Sequence, residues 1–309
     1  KEAHAARRRT AYGKNIIKMK NNKANIGRTC LIGTTLIWGS SFVILKSALD
    51  SITPMWVLAI RFVGAALMML IACLPRFKKI DRGYIKGGML MGTCLALAYI
   101  VQTYGLVYTT PGKNAFLTAT YCILVPFLYW AIAHKKPDRY NILAAVVCLI
   151  GMGFVCLNND LSVNIGDMLT ICCGLFYGLH IIVTARSVED RDPLIVTMIQ
   201  FAVGGIICLI GAAVFEPVPH DIPNGTWWSI AYMTFICTGL CFFLQTIGQK
   251  YTPPAQAAVI LTLESVFGTA ISVILGEEVL TFNIALGFCL IFLAIITSET
   301  KLKFLKKRS

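Results

Sequence analysis

The 309-residue chain has few charged residues: Asp, Glu, Lys and Arg together make up only 14% of it, whereas hydrophobic residues make up 57%. Soluble globular domains contain about 25% charged residues, and a surface much poorer in charge would not stay dispersed in water. Acidic residues are especially scarce, 15 against 28 Lys and Arg, which gives a net charge of +13. This composition excludes an ordinary soluble domain and indicates a protein of the membrane.

Sequence patterns that mark ATP-driven pumps and many enzymes are absent. No GxxxxGK[ST] phosphate loop occurs, because Gly112-Lys113 lacks both the earlier glycine and the following Ser or Thr. There is also no HExxH motif and no cluster of carboxylates that would hold Mg²⁺. All 12 Cys lie inside apolar segments and none forms a CxxC motif, which argues against a zinc site or a disulfide framework. We therefore expect no cofactor, no metal and no catalytic site.

Positive charge is concentrated at the two ends of the chain and in short segments between apolar runs. Residues 1–28 carry nine Lys and Arg against the single acid Glu2, and residues 301–309 carry five more. A basic chain can indicate nucleic acid binding, but this distribution is typical of membrane topology, so no nucleic acid partner is expected. We expect residues 1–28 to form a solvated cytoplasmic tail without regular structure.

The apolar runs predict ten transmembrane helices. About 20 residues of helix cross a hydrocarbon core of about 30 Å. The runs are continuous rather than alternating, and this favours helices over the strands of a membrane barrel. The predicted spans, numbered first to tenth, are residues 29–49, 55–74, 87–108, 114–133, 142–158, 166–185, 194–215, 227–248, 255–275 and 282–299.

The same charges predict the orientation. If the N-terminus is cytoplasmic, all but three of the 28 Lys and Arg lie on the cytoplasmic side, the exceptions being Lys46, Arg61 and Lys113. This is the distribution that the positive-inside rule describes. An even number of spans then puts both termini in the cytoplasm. The sequence predicts a multi-pass protein of the plasma (inner) membrane, surrounded by membrane lipid.

An internal repeat relates the two halves of the chain. Residues 102–111 (QTYGLVYTTP) and 245–254 (QTIGQKYTPP) match at six of ten positions, at an offset of 143. At an offset of 139, Trp38-Gly39 pairs with Tyr177-Gly178, Pro54 with Pro193, and Arg61 with Gln200. Each half contains five spans, an odd number, so the second half must be inverted. Inverted repeats are typical of secondary transporters.

The repeat divides the chain into four predicted units. Two five-helix repeats, residues 29–158 and 159–299, lie between a basic tail at 1–28 and a second basic tail at 300–309. The predicted fold class is therefore an all-α integral membrane protein of about ten transmembrane helices in two inverted five-helix repeats.

Several motifs, taken in order, resemble the EamA-type branch of the drug/metabolite transporter superfamily. They are WGSSFV at 38–43, the spacing from Pro54 to Arg61, the segment at 102–126, LTLESVF at 261–267 and GEEVLT at 276–281. The resemblance covers nearly all of residues 29–299. It implies the ten-helix inverted fold and the transport of small metabolites, often amino acids or related compounds, frequently outward and coupled to an ion gradient. At the end of the fourth span, His134-Lys135-Lys136 stands where relatives often have Gly-Glu-Arg.

Ionisable groups within hydrocarbon cost about 2.5 kcal/mol or more, so each one is a candidate for function. Glu264, in the ninth span, could carry a proton or balance a cationic substrate group; the alternative is a structural acid bonded to neighbouring helices. Arg61, in the second span, could bind a carboxylate or could bond to backbone carbonyls. His180, in the sixth span, could relay protons or be a neutral His bonded to a carbonyl. Lys46 is expected to extend to the membrane interface.

Uncharged polar and aromatic residues near the middle of spans are further candidates. They either line a substrate pocket or connect helices by packing and hydrogen bonds. Gln102 and Gln245 are equivalent in the repeat, as are Trp38 and Tyr177. The candidate set is Trp38, Ser41, Tyr99, Gln102, Tyr177 and Gln245.

We predict a secondary active transporter that moves a small polar metabolite, such as an amino acid or a related compound, by alternating access. Export is favoured by the resemblance alone, and proton coupling through Glu264 is the weaker part of the hypothesis. The alternatives are a carrier or flippase for lipid or drug-like cargo, a channel or receptor, and, less favoured, an integral-membrane enzyme. Both a monomer and a homodimer remain open.

Overall fold

The structure, a computed structural model, describes residues 2–156, 164–274 and 280–301. Within these ranges the chain is helical with short connections and contains no strand. The predicted boundary between the repeats at residues 158 and 159, most of the motif at 276–281 and the tail from residue 302 lie outside the described residues. The all-α membrane fold is confirmed.

Within the described ranges, ten helical segments correspond to the ten predicted spans. Seven are long and apolar enough to cross a bilayer, and three apolar helices are shorter: Arg139–Phe154, Pro254–Gly268 and Phe282–Ser298. The first five spans are formed, in chain order, by Glu2–Trp38 with Ser41–Ala48, by Pro54–Cys73, by Arg82–Tyr108, by Pro111–Thr118 with Tyr121–Ala133, and by Arg139–Cys156. The next three are formed by Ile165–Ser187, by Pro193–Phe215, and by Asn224–Tyr232, which continues through π-helical turns at Met233–Leu240 into Cys241–Tyr251. The last two are formed by Pro254–Leu261 with Leu263–Ile274, and by Phe282–Thr300. A 3₁₀ helix, Leu74–Lys79, follows the second span.

The N-terminal tail differs from the prediction. The first helix begins at Glu2 and continues without a break to Trp38, so the expectation of a tail without regular structure is wrong. The reason lies in composition: residues 2–28 contain no Pro and are rich in Ala, Arg and Lys, which are good helix formers. The charges that mark the tail as topogenic therefore lie on a helical extension of the first span.

In the part of the chain that the structure describes, three of the predicted spans are interrupted. The breaks are at Gly39 and Ser40 in the first span, at Ala119 and Thr120 in the fourth, and at Thr262 in the ninth. Each break has a hydroxyl that donates to the carbonyl three residues earlier, from Ser40 to Ile37 (2.9 Å), Thr120 to Leu117 (2.7 Å) and Thr262 to Val259 (2.6 Å). Side-chain hydroxyls of this kind satisfy backbone groups that a broken helix leaves free in the bilayer.

Two close contacts between glycines of different spans are related by the internal repeat. The third span packs against the sixth, where a Cβ on Gly166 would lie 2.6 Å from the carbonyl oxygen of Gly105. The first span packs against the eighth, where a Cβ on Gly27 would lie 3.0 Å from the carbonyl oxygen of Gly248. Gly166 and Gly27 are related by the offset of 139, and Gly248 and Gly105 by the offset of 143. The two contacts are therefore equivalent, and they relate the halves by an approximate two-fold axis.

The connections lie on two faces of the bundle. The basic face carries residues 74–81, 134–138, 188–192 and 252–253, and the opposite face carries 49–53, 109–110 and 216–223. On the opposite face, the carboxylate of Glu216 accepts hydrogen bonds from the backbone N–H of Met55 (3.1 Å) and Trp56 (3.3 Å) and from the hydroxyl of Tyr104 (2.6 Å). One side chain thus connects the end of the seventh span to the second and third spans.

Candidate functional site

A cavity of about 40 Å³ lies between the two halves of the bundle. This volume is enough for a few water molecules and too small for a metabolite. Eight of the nine candidate residues line it, and His180 does not. The lining residues are Trp38, Ser41, Phe42, Leu45, Arg61, Tyr99, Gln102, Thr118, Tyr121, Tyr177, Ile181, Gln245, Leu261 and Glu264.

Arg61 is fixed at one side of this cavity. Its side chain is 2% exposed, Nε donates to Thr238 Oγ1 (3.1 Å), and a terminal nitrogen donates to the hydroxyl of Tyr99 (3.4 Å). The guanidinium carbon also lies 4.9 Å from the centre of the Tyr99 ring, within the range of a cation–π contact. Guanidinium has five N–H groups, and the described contacts occupy two of them. Arg61 is therefore held in place with donors left for a ligand.

Glu264 lies two residues after the interruption at Thr262 in the ninth span. It occupies the first turn of the helix Leu263–Ile274, where the helix dipole favours a negative charge. Its side chain is 6% exposed, and no donor of the described residues lies within hydrogen-bond distance of the carboxylate. Arg61 and Glu264 line the same cavity without forming an ion pair with each other. The carboxylate is thus available to a proton or a cationic group.

The equivalent residues Gln102 and Gln245 differ in their contacts. Gln102 accepts from the hydroxyl of Tyr177 (2.8 Å) and donates to Thr118 Oγ1 (2.9 Å). Gln245 donates to Gln249 Oε1 (3.1 Å), whereas its own Oε1 has no partner among the described residues although Gln245 is only 3% exposed. A buried acceptor without a donor carries a free-energy cost, and a donor on a ligand would remove that cost.

Aromatic side chains form much of the wall. The ring of Trp38 lies 4.9 Å from Phe242, and its Nε1 donates to the carbonyl of Cys237 (2.7 Å). Tyr177 packs edge-on against Tyr99 (5.6 Å) and Tyr121 (6.4 Å). The Ser41 hydroxyl donates to the carbonyl of Trp38 (2.8 Å). The wall is therefore rigid and amphipathic, with few polar groups in fixed positions.

His180 lies outside the cavity lining. It is 1% exposed; its Nε2 is 2.9 Å from Gln200 Oε1 and 3.3 Å from Thr184 Oγ1. The partner of the ring is thus a side-chain amide rather than the backbone carbonyl that one sequence interpretation suggested. Lys46 lies at the opposite face, where its ammonium group donates to the carbonyls of Leu106 and Thr109 (2.7 and 3.2 Å) at the end of the third span.

Sequence reasoning missed several lining residues. The apolar ones have no contrast with other residues of a membrane helix, but the repeat offers a signal. Tyr121 is related to the candidate Glu264 by the offset of 143, so extending the repeat from that candidate would have found it. Phe42 with Ile181 and Thr118 with Leu261 are related only to each other, so no candidate leads to them. Thr238, which holds Arg61, has no comparable signal.

Comparisons with known proteins agree with this architecture. The model of the EamA-like transporter family matches residues 25–157 and again residues 164–299. An "Uncharacterized transporter" of Archaeoglobus fulgidus is 34% identical over 84% of this chain and 82% of its own length. The "Uncharacterized transporter YoaV" of Bacillus subtilis is 25% identical over 84% of this chain and 92% of its own. A solved structure described as "Crystal structure of protein" has a TM-score of 0.75 at 14% identity, covering 92% of this chain and 99% of that one, and shows the fold alone.

Proposed function

Because the chain belongs to the EamA-like transporter family, we propose that it carries a small zwitterionic metabolite, such as an amino acid or a related compound, across the plasma membrane by alternating access. One observation supports this most strongly. Arg61 and Glu264, of opposite charge and not paired with each other, line one buried cavity between the inverted halves.

A zwitterion matches the chemistry of both charged groups. A guanidinium binds a carboxylate through parallel N–H bonds, and Glu264 would bind the ammonium group. The unpartnered Oε1 of Gln245 offers a further acceptor for an N–H donor. Charges within a membrane are costly unless they are paired, so a cargo that neutralises both at once would gain affinity that an uncharged molecule would not.

Proton coupling would follow from competition at Glu264. The carboxylate can hold a proton or the ammonium group of the cargo, but not both at once. A carrier in which the two exclude each other moves them in opposite directions, so inward protons would drive export from the basic face to the opposite face. This direction assumes that the basic face is cytoplasmic, as the charge distribution favours.

The test is flux in proteoliposomes. A panel of labelled amino acids would be measured with and without a pH gradient for wild type, Glu264→Gln and the control Glu189→Gln, whose acid is exposed on the basic face. We expect saturable, gradient-driven flux in wild type and in the control. Glu264→Gln should still exchange cargo, with weaker affinity, and should lose its response to the gradient.

Other outcomes would change the account. If Glu264→Gln stays fully gradient-driven, Glu264 is structural and the coupling proposal is wrong. If no amino acid moves in wild type, the cargo class is wrong, and lipid or drug-like molecules become the compounds to test.

A further inference from the structure

The residues that line the cavity are related in pairs by the repeat. We call two positions repeat partners when they are separated by 139 or 143 residues, the offsets that relate the halves. Of the fourteen described residues in the lining, ten have their repeat partner in the same lining: Trp38 with Tyr177, Phe42 with Ile181, Gln102 with Gln245, Thr118 with Leu261, and Tyr121 with Glu264. The cavity therefore lies on the approximate two-fold axis.

Four lining residues break this symmetry, and all four lie in the half of the membrane nearer the opposite face. Arg61 is seven residues into the second span, about 10 Å from its start at Pro54 on the opposite face. Its repeat partner Gln200 is seven residues into the seventh span, which starts at Pro193 on the basic face. The four are Ser41, Leu45, Arg61 and Tyr99, and their repeat partners are His180, Thr184, Gln200 and Phe242.

These four partners, which we call the closed cluster, pack against one another on the basic-face side of the cavity. His180 contacts Gln200 and Thr184 through Nε2, and its ring lies edge-on to Phe242 with the centres 5.9 Å apart. None of the four is more than 1% exposed. The two sets of four residues are thus equivalent in sequence but not in environment. Ser41, Leu45, Arg61 and Tyr99 line the cavity, whereas the closed cluster does not.

Two polar atoms of the closed cluster lack partners. His180 Nδ1 and Gln200 Nε2 are buried and have no hydrogen bond among the described residues. Buried polar groups are nearly always satisfied, and an unsatisfied one needs a physical reason. A state in which these atoms meet water or cargo supplies that reason.

We propose that the closed cluster is a second cargo-binding surface, which opens to the basic face when the side formed by Ser41, Leu45, Arg61 and Tyr99 closes. Its ligand is the same small zwitterion, so the inference rests on the proposed function and adds which residues receive the cargo on the other side. His180 and Gln200 supply neutral hydrogen-bonding groups there, and Phe242 supplies an apolar wall.

The two surfaces differ in charge. A cargo carboxylate meets the guanidinium of Arg61 when the cavity opens to the opposite face, and the neutral amide of Gln200 when it opens to the basic face. Hydrogen bonds to charged groups are stronger than neutral ones, so affinity should be lower on the basic face. The expected apparent KM is about tenfold higher on the basic face, because a hydrogen bond to a charged group contributes roughly a factor of ten more to affinity than a neutral one.

The opening can be measured without knowing the cargo. Ser41→Cys is nearly isosteric and places a thiol in the cavity lining, whereas Thr184→Cys removes one methyl group and places a thiol in the closed cluster. Each full-length variant would be treated, in membrane vesicles of either orientation, with a charged, water-soluble methanethiosulfonate, and modification would be read from the mass of the peptide that contains the new thiol. Native Cys208 is the internal reference, because it and its repeat partner Met69 are both buried and neither lines the cavity.

We expect the thiol at position 184 to react faster than Cys208 when the reagent is on the basic face, and the thiol at position 41 to react when it is on the opposite face. If position 184 reacts no faster than Cys208 from either side, the proposal is wrong. Should Thr184→Cys fail to fold, as judged by its thermal unfolding in detergent, Gln200→Cys tests the same cluster.

Labelling and flux separate this inference from the proposed function. Saturable amino acid flux with an unreactive position 184 would refute the second surface and leave the proposed function standing. A reactive position 184 with no flux of any amino acid would support the opening and contradict the cargo class.

Discussion

Replacing Arg61 with Gln should weaken binding of a zwitterionic cargo by about tenfold to about 150-fold. The repeat partner of Arg61 is Gln200, so Gln already occupies the equivalent position in the other half of the chain. The change removes the positive charge while keeping an amide that can still reach Thr238. A hydrogen bond to a charged group contributes about 1.5–3 kcal/mol, and each 1.4 kcal/mol is a factor of ten. Because Arg61 is only 2% exposed, little water screens it and the upper part of the range is expected.

The assay compares two cargoes. The apparent KM for flux would be measured for an amino acid and for the amine that lacks its carboxylate, in wild type, Arg61→Gln and Arg61→Lys. Wild type should have a KM about tenfold to about 150-fold lower for the amino acid than for the amine, and Arg61→Gln should lose that preference. Arg61→Lys keeps the charge but not the planar pair of donors and should lie between them.

Two outcomes would refute this reasoning. If Arg61→Gln raises the KM of both cargoes equally, Arg61 stabilises the bundle and does not bind the carboxylate. If the preference is unchanged, another group recognises the carboxylate. Thermal unfolding of each variant in detergent separates loss of binding from loss of fold.

Two further predictions concern the scaffold. Gly166→Ala should lower the free energy of unfolding by about 1–3 kcal/mol, because the new Cβ would lie 2.6 Å from the carbonyl oxygen of Gly105 and must push two helices apart. The control Gly112→Ala, with no atom within 4 Å of the added carbon, should leave the unfolding temperature unchanged or slightly raised. Equal effects of the two variants would contradict the close approach. At the basic face, the hydrogen bond from Lys301 (2.6 Å) lowers the pKa of Asp138 below its ordinary 3.8, so this stabilisation is present above pH 3.8 and is lost as the pH falls through the folded-state pKa. The pair is partly exposed and should contribute at most about 1 kcal/mol, and Lys301→Met should remove that acid-dependent part of the unfolding curve; an unchanged curve would show that the pair contributes nothing.

The sequence predicts the ten spans and their order because the bilayer imposes length and apolarity on every helix that crosses it. The N-terminal tail was mispredicted because charge indicates where a membrane span starts, but says nothing against helix in a segment rich in Ala, Lys and Arg. The interruption at Thr262 puts Glu264 in the first turn of a new helix. It could not be predicted, because no Pro or Gly stands at this point of the sequence.

Much of the cavity lining is also readable from sequence, because a polar group within an apolar span is conspicuous and the repeat duplicates each position. The limit is the asymmetry between the halves. Arg61 and Gln200, like Ser41 and His180, are equivalent in the repeat, and no sequence pattern tells which member of each pair faces the cavity in a given state. His180 was a candidate because it is an ionisable group within a span, and it lies in the closed cluster rather than in the cavity lining.

The central claim, that the cavity binds and carries a zwitterionic metabolite, is tested most directly by counterflow. Proteoliposomes of wild type would be loaded with an unlabelled amino acid and diluted into a trace of the same compound carrying a label. A carrier predicts transient accumulation of the label above its equilibrium level, saturable by external cargo. Labelled flux that is linear in concentration and shows no accumulation would indicate a channel, and no entry of any amino acid would contradict the proposed cargo.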